Sequence, residues 1–208
     1  MRQFGRSLAA FAFGAAMSLG TGALANDVVI HAGKLIDGVS KTPQANVSIL
    51  IHNDRIAGVQ SGFVSPKGFT VIDLSKQTVL PGLIDCHVHI TGQFDGGNPV
   101  AEAVTMTDYD SAVRSTTYAR NTLLAGFTSV RDVGANTGVV VALKKAIAKG
   151  IVEGPRMWVA GMPLGPTGGH NDASNGFDPE LSHPDWNLNI VNSPEDARRI
   201  VRKMRQEG

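Results

Sequence analysis

Two histidines one residue apart end the run Val79-Leu80-Pro81-Gly82-Leu83-Ile84-Asp85-Cys86-His87-Val88-His89. The run reads as a tight Pro-Gly turn followed by an apolar strand. Side chains alternate faces along a strand, so His87 and His89 are expected on one face, one pleat apart. Two neutral imidazoles so placed suit a single divalent metal, Zn²⁺ above all. Such an ion activates water and polarises a carbonyl, which is hydrolytic chemistry. A catalytic zinc site normally takes three protein ligands and a water, and this run offers two. Asp85 shares their parity. It is expected to orient an imidazole as a hydrogen-bond acceptor, with direct ligation as the alternative. Cys86, the single cysteine, has the opposite parity. It is expected to be a small buried hydrophobe, with a nucleophile as the lesser reading. A lone cysteine also excludes an intrachain disulfide.

The elements around this strand follow a strand–helix rhythm. A helix is expected from Asp110 to Ala125, with Val113, Thr117 and Leu124 on its apolar face and Gly126 as its stop. Thr128 to Val133 follows as a strand. Thr137 to Lys149 is a second helix, closed by Gly150, and Met157 to Ala160 is a third strand. A loop rich in Gly, Pro and Asn runs from Met162 to about Asn192. Ser193 then caps a helix that runs to Gln206, with Pro194 at its first position and Glu195 and Asp196 at its positive end.

Alternating β and α units imply a parallel sheet with helices outside it. Asp132, at the end of the second strand, would lie on the face where barrel enzymes build their sites. It reads equally as a residue supporting the metal ligands and as a helix cap. His170 follows Gly168-Gly169 in the long loop. Its readings are a substrate contact at the mouth of the site and a solvent-exposed loop residue. His183, before Pro184, reads as a loop residue. The loop is no phosphate cradle, because it lacks a Gly-Lys-Ser/Thr ending.

Residues 26–80 read as a small β unit. Strands are expected at Val28–Gly33, Val47–Ile51, Arg55–Val59 and Thr70–Leu74, with Asn53-Asp54 as a hairpin turn. His31 and His52 are expected at its surface or turns.

Net charge is +1 over 208 residues with 42% hydrophobic content, which is ordinary globular composition and gives no reason to invoke nucleic acid as a partner. The basic stretch from Arg198 to Arg205 alternates with Ile200, Val201 and Met204, as the wet face of a helix does. Residues 1–25 have the form of a secretory signal. Arg2 and Arg6 precede an apolar stretch from Leu8 to Leu19, and Ala23-Leu24-Ala25 is a cleavage pattern. The apolar stretch is shorter than the ~20 residues of a membrane helix. The expectation is an exported protein, periplasmic or secreted, with no membrane span once the signal is cleaved. An uncleaved anchor is the alternative.

The Pro81-to-His89 run, in its Pro-Gly-Leu-Ile-Asp context, resembles the amidohydrolase superfamily of metal-dependent hydrolases. Val29-Ile30-His31-Ala32-Gly33-Lys34-Leu35-Ile36-Asp37-Gly38 and Asn53-Asp54-Arg55-Ile56-Ala57-Gly58-Val59 are similar to that family's N-terminal β-sandwich portion. Leu123 to Asp132 is similar to its helix 1 to strand 2 junction. Gly154-Pro155-Arg156 and Gly168-Gly169-His170 resemble the imidazolonepropionase-related branch, which includes exported Xaa-Pro dipeptidases. The resemblance implies a (β/α)₈ barrel and hydrolysis of amide or peptide-like C–N bonds in a small or dipeptide-like substrate. It also implies one or two metal ions, with His87 and His89 as the ligands from strand 1 and His170 as a substrate contact. The family's remaining ligands, a lysine, two histidines and an aspartate, come from later strands. Residues 81–208 hold three βα units, where a barrel has eight in about 250 residues. The chain is therefore expected to be the front part of a barrel, lacking a C-terminal half or completed by association. A complete three-stranded α/β sheet, and a non-catalytic truncated product, are the alternatives.

Overall fold

The computed structural model describes residues 27–93, 96–178, 180–181 and 186–208. The signal-like segment and His183 lie outside the described residues. The chain divides into two compact units, Met1–Pro81 and Gly82–Gly208. Among the described residues no helix is long and apolar enough to cross a membrane.

The first unit is a four-stranded mixed sheet of β1 (Val28–Leu35), β2 (Gln44–His52), β3 (Arg55–Ser61) and β4 (Thr70–Val79). Its order is β3-β2-β1-β4, with β1 parallel to β4 and the other pairs antiparallel. Asn53 and Asp54 both take positive φ, as a two-residue hairpin with the twist of its strands requires. Alternation along β2, and an irregularity in β1 between Ala32 and Lys34, bury Ala32, Leu35, Val47 and Ile49 in one apolar cluster. The opposite face carries two polar anchors. Buried Ser48 donates to Gly62 O (2.8 Å) and accepts from Val64 N (2.9 Å), while the His31 ring bonds Val64 O (2.8 Å) and stacks on Phe63. His31 is thus half-buried beneath residues 62–64 and not a surface residue. His52 pairs with Asp27 beside the hairpin.

The second unit is a three-stranded parallel sheet in the order β5-β6-β7: β5 (Leu83–Val88), β6 (Phe127–Asp132) and β7 (Arg156–Val159). Its helices are α1 (Pro99–Thr105), α2 (Asp108–Leu124), α3 (Thr137–Ala148) and α4 (Pro194–Glu207). Each helix start is capped by a side chain: Asn98, Thr107, Asn136 and Ser193. Gly126 and Gly150, at positive φ, follow the ends of α2 and α3. The core lies between sheet and helices, with Ile90, Ala119, Val130, Val140, Leu143 and Met157 buried together.

The structure corrects two expectations about burial. Helix α2 buries Ser115 and Ala119, while Val113 and Leu124 are exposed. Close packing explains the change of face, since a Cβ on Gly154 would stand 3.0 Å from Ala119 Cβ. Only small residues fit there. Strand β5 is not enclosed: Leu83 and Ile84 are exposed, and Cys86 is exposed, not buried. Its pairing explains this, because β5 is an edge strand bonded only to β6 among the described residues.

Candidate metal centre

In a parallel sheet all strands end at the same edge. His89 after β5, Gly134 after β6 and the loop after β7 therefore share one rim. The β5–β6 register slips between Asp85, opposite Val130, and Val88, opposite Asp132. Strand β5 thus carries one more residue than β6 across this interval, an irregularity that re-aims side chains at a strand end. The result brings the two rings together. His87 and His89 meet edge to face, with centroids 5.5 Å apart.

His89 is the more tightly held of the two. Its Nδ1 lies 2.7 Å from Gly134 O. A carbonyl oxygen can only accept, so Nδ1 carries the proton and neutral His89 keeps its Nε2 lone pair free. That is the tautomer a metal ligand needs. The His87 ring has its contact with His89 and no hydrogen bond among the described residues. Two imidazoles on one Zn²⁺ at about 2.0–2.1 Å, at tetrahedral angles, place their ring centroids about 5 Å apart. The observed spacing and tautomer fit two of the ligands of such an ion. Among the described residues no group of three or more His, Cys, Asp or Glu side chains is placed to hold a metal.

Asp85 does not bond a ring. Its Oδ1 accepts from His87 N at 3.0 Å, so it shapes the backbone of the strand end. The bond that orients an imidazole comes from the Gly134 carbonyl. Asp132 is fully buried and sits between two backbone donors, Ile90 N on Oδ2 (2.8 Å) and Gly134 N on Oδ1 (3.1 Å). Burial pushes its carboxyl above the usual carboxylate range, and the two N–H bonds and the nearby His89 offset part of that rise. Asp132 does not cap α3; that role belongs to Asn136, whose Oδ1 accepts from Gly138 N and Val139 N.

His170 is exposed on the loop after β7. Its ring makes no hydrogen bond or ring contact with His87 or His89. The loop around it is internally cross-linked. Asn189 donates to Pro163 O (2.6 Å) and Asn171 O (2.7 Å), and Asp172 accepts from Gly168 N (2.8 Å) and Ser174 N (3.0 Å). Its root reaches the rim, since Pro163 Cγ would lie 3.2 Å from a Cβ on Gly134. The Gly134 carbonyl was not legible as a functional group in the sequence. The available signal was Asp132, a carboxylate with the parity of buried Val130, which must find backbone donors.

Comparison with known proteins matches this arrangement to one family. Residues 78–207 fit the family described as "Amidohydrolase family". The chain is 35% identical over 147 residues to ochratoxinase of Aspergillus niger, covering 69% of this chain and 30% of that protein. It is 33% identical over 126 residues to a dihydroorotase of Citrifermentans bemidjiense, covering 61% of this chain and 26% of the relative. Its fold matches the crystal structure of a Xaa-Pro dipeptidase with bound methionine in the active site. The TM-score is 0.78 at 37% identity, over 88% of this chain and 45% of that one. The chain thus spans less than half the length of each of these proteins. With paired histidines at the rim of a parallel sheet, and a family match running from the end of β4 through α4, the chain belongs to the amidohydrolase family.

Proposed function

We propose that this chain is the N-terminal part of a metal-dependent hydrolase that cleaves amide or peptide-like C–N bonds. In this reading β5, β6 and β7 are the first three strands of a (β/α)₈ barrel, and the four-stranded sheet is part of a β-sandwich. His87 and His89 would hold a divalent metal, with Zn²⁺ as the ion best suited to neutral imidazoles. When bound, such an ion supplies a nucleophilic water with a pKa near ~7 and polarises the scissile carbonyl.

The chain's own residues prepare that chemistry. Gly134 O holds the His89 proton on Nδ1 and leaves Nε2 outward. Asp85 and Asp132 fix the backbone on either side of the rings. The cross-linked loop after β7 offers a wall to a substrate, and His170 is the polar group on it suited to touching one. The relative titled a Xaa-Pro dipeptidase makes dipeptides the first substrate class to test. Residues 1–25 point to export of the mature protein.

The single observation that carries this reading is the ring pair, 5.5 Å apart with one Nε2 left free. The test is hydrolysis of Xaa-Pro dipeptides by the full-length protein loaded with Zn²⁺. Turnover should vanish in His87→Ala and His89→Ala. Turnover that survives both substitutions would refute the assignment.

A second reading is a non-catalytic truncated product that lacks the remaining metal ligands. Residues 26–208 alone are then not catalytic and need groups from elsewhere to complete the site. This span should show little dipeptidase activity with Zn²⁺. Robust turnover by it would refute that second reading.

A further inference from the structure

We propose that Asp132 is a positioning residue for His89 and acts through Gly134. The proposal deepens the metal-site reading and rests on it for its purpose, but its first readout involves no metal.

The argument starts from the two donors that Asp132 engages. Ile90 N belongs to the residue that follows His89. Gly134 N belongs to the residue whose carbonyl receives the His89 Nδ1 proton. A closed circuit results. It runs from the carboxylate through Ile90 N to the His89 backbone, across the ring to Gly134 O, and back through Gly134 N to the carboxylate. The distance between the segments after β5 and β6 sets where the His89 ring lies, and Asp132 holds both segments. A carboxylate serving only as a structural plug could satisfy itself on any two donors. These two are the ones whose separation fixes ring position and tautomer.

Gly134 completes the device by what it lacks. A Cβ there would stand 3.0 Å from His89 Cε1, 3.1 Å from His89 Nδ1 and 3.2 Å from Pro163 Cγ. The ring and the loop root close over the bare backbone, so a side chain at 134 would require the ring or the loop root to give by a few tenths of an ångström.

The experiment is ¹⁵N NMR of the histidine rings in the metal-free full chain at about pH 8, above the usual His pKa of ~6.5. His89 is expected as the Nδ1–H tautomer. In Asp132→Asn and in Gly134→Ala its signals should shift to a mixed or Nε2–H tautomer. His87 should stay unchanged, and far-UV circular dichroism should report a retained fold. Zn²⁺ affinity, measured by competition with a chromophoric chelator, should fall about 10–100-fold. An Nε2–H tautomer at His89 in the unsubstituted protein would overturn the proposal. So would an Nδ1–H preference that persists in folded Asp132→Asn. If Asp132→Asn does not fold, Asp132→Glu, which moves the carboxylate by one methylene from its two donors, decides in its place. Loss of the tautomer with unchanged Zn²⁺ affinity upholds the positioning role and refutes the metal reading.

Discussion

Val88 of β5 stands opposite Asp132 of β6, although two residues lie between it and Asp85 and only one lies between Asp132 and Val130, the partner of Asp85. This slip is why the end of β5 is not a simple alternating strand. It turns Val88 toward the apolar core and leaves the rings of His87 and His89 edge to face on the rim. Both rings are exposed at that rim.

Zn²⁺ binding should therefore depend on both rings together. His87→Ala and His89→Ala should each weaken it by about tenfold or more, and the double variant should be much less than additive, as for groups that act as a unit. Isothermal titration of the three variants checks this. Independent, additive losses would mean that the rings do not share an ion.

The packed face of α2 gives a test of the corrected helix phase. Ala119→Leu should destabilise the second unit by about 1–3 kcal/mol through overpacking against Gly154 and Ile147. Val113→Ala, at an exposed position, should fall within about 0.5 kcal/mol of the unsubstituted protein. Urea unfolding followed by tryptophan fluorescence reads both. The reverse ranking would restore the face expected from hydrophobic spacing.

In the first unit Gly33 is the tightest backbone contact. A Cβ there would lie 2.2 Å from Ser75 O, where no flexible side chain can give way. Gly33→Ala should cost about 1–3 kcal/mol or more and should accelerate amide exchange along β1 and β4. Unchanged protection factors in those strands would contradict the close approach.

Acid should unfold the protein through its capping carboxylates. Asp110, bonded by Thr107, and Asp196, bonded by Ser193, sit below the ordinary carboxylate range because those groups favour the charged form. A depressed folded pKa contributes stability that is present above the unfolded value of about 3.9 and is lost as pH falls through the folded value. Asp132 acts with the opposite sign. Its raised pKa means that it favours the folded state less as pH climbs from about 3.9 through its folded value. Urea midpoints should hold from pH 7 to 5 and drop below about 4, and Thr107→Ala should blunt the drop. An acid dependence unaltered by Thr107→Ala would remove Asp110 from this account.

Cys86 should react with a thiol reagent in the native state, since its side chain is exposed. Labelling should be complete without denaturant and leave the circular dichroism spectrum intact. Labelling that waits on unfolding would show the thiol to be covered.

What the sequence made legible were features set by nearest neighbours. The Ser193-Pro194 helix start, the Asn53-Asp54 hairpin and the Gly126 and Gly150 stops each follow from the φ angles and lone pairs of a few adjacent residues. The pair His87 and His89 was visible for the same reason. What stayed hidden depends on contacts distant in sequence. The inner face of α2 is decided by Gly154 and not by its own hydrophobic spacing. The exposure of Cys86 follows from the edge position of β5, and the orientation of His89 comes from a carbonyl 45 residues away. Asp132 marked the place but not the mechanism, because a buried carboxylate announces that it has partners without naming them.

Strand β5 carries His87 and leads directly into His89, and among the described residues it is an edge strand, with Leu83 and Ile84 exposed at its start. Among the described residues its outer edge pairs with no strand, and such an edge is a template on which another strand can add. A molecule docked there would crowd the rim from the side and shut the rings away from dissolved ions. Colloidal behaviour and zinc uptake should therefore fail together: a preparation drifting toward soluble oligomers should lose metal capacity in proportion, before any loss of secondary structure.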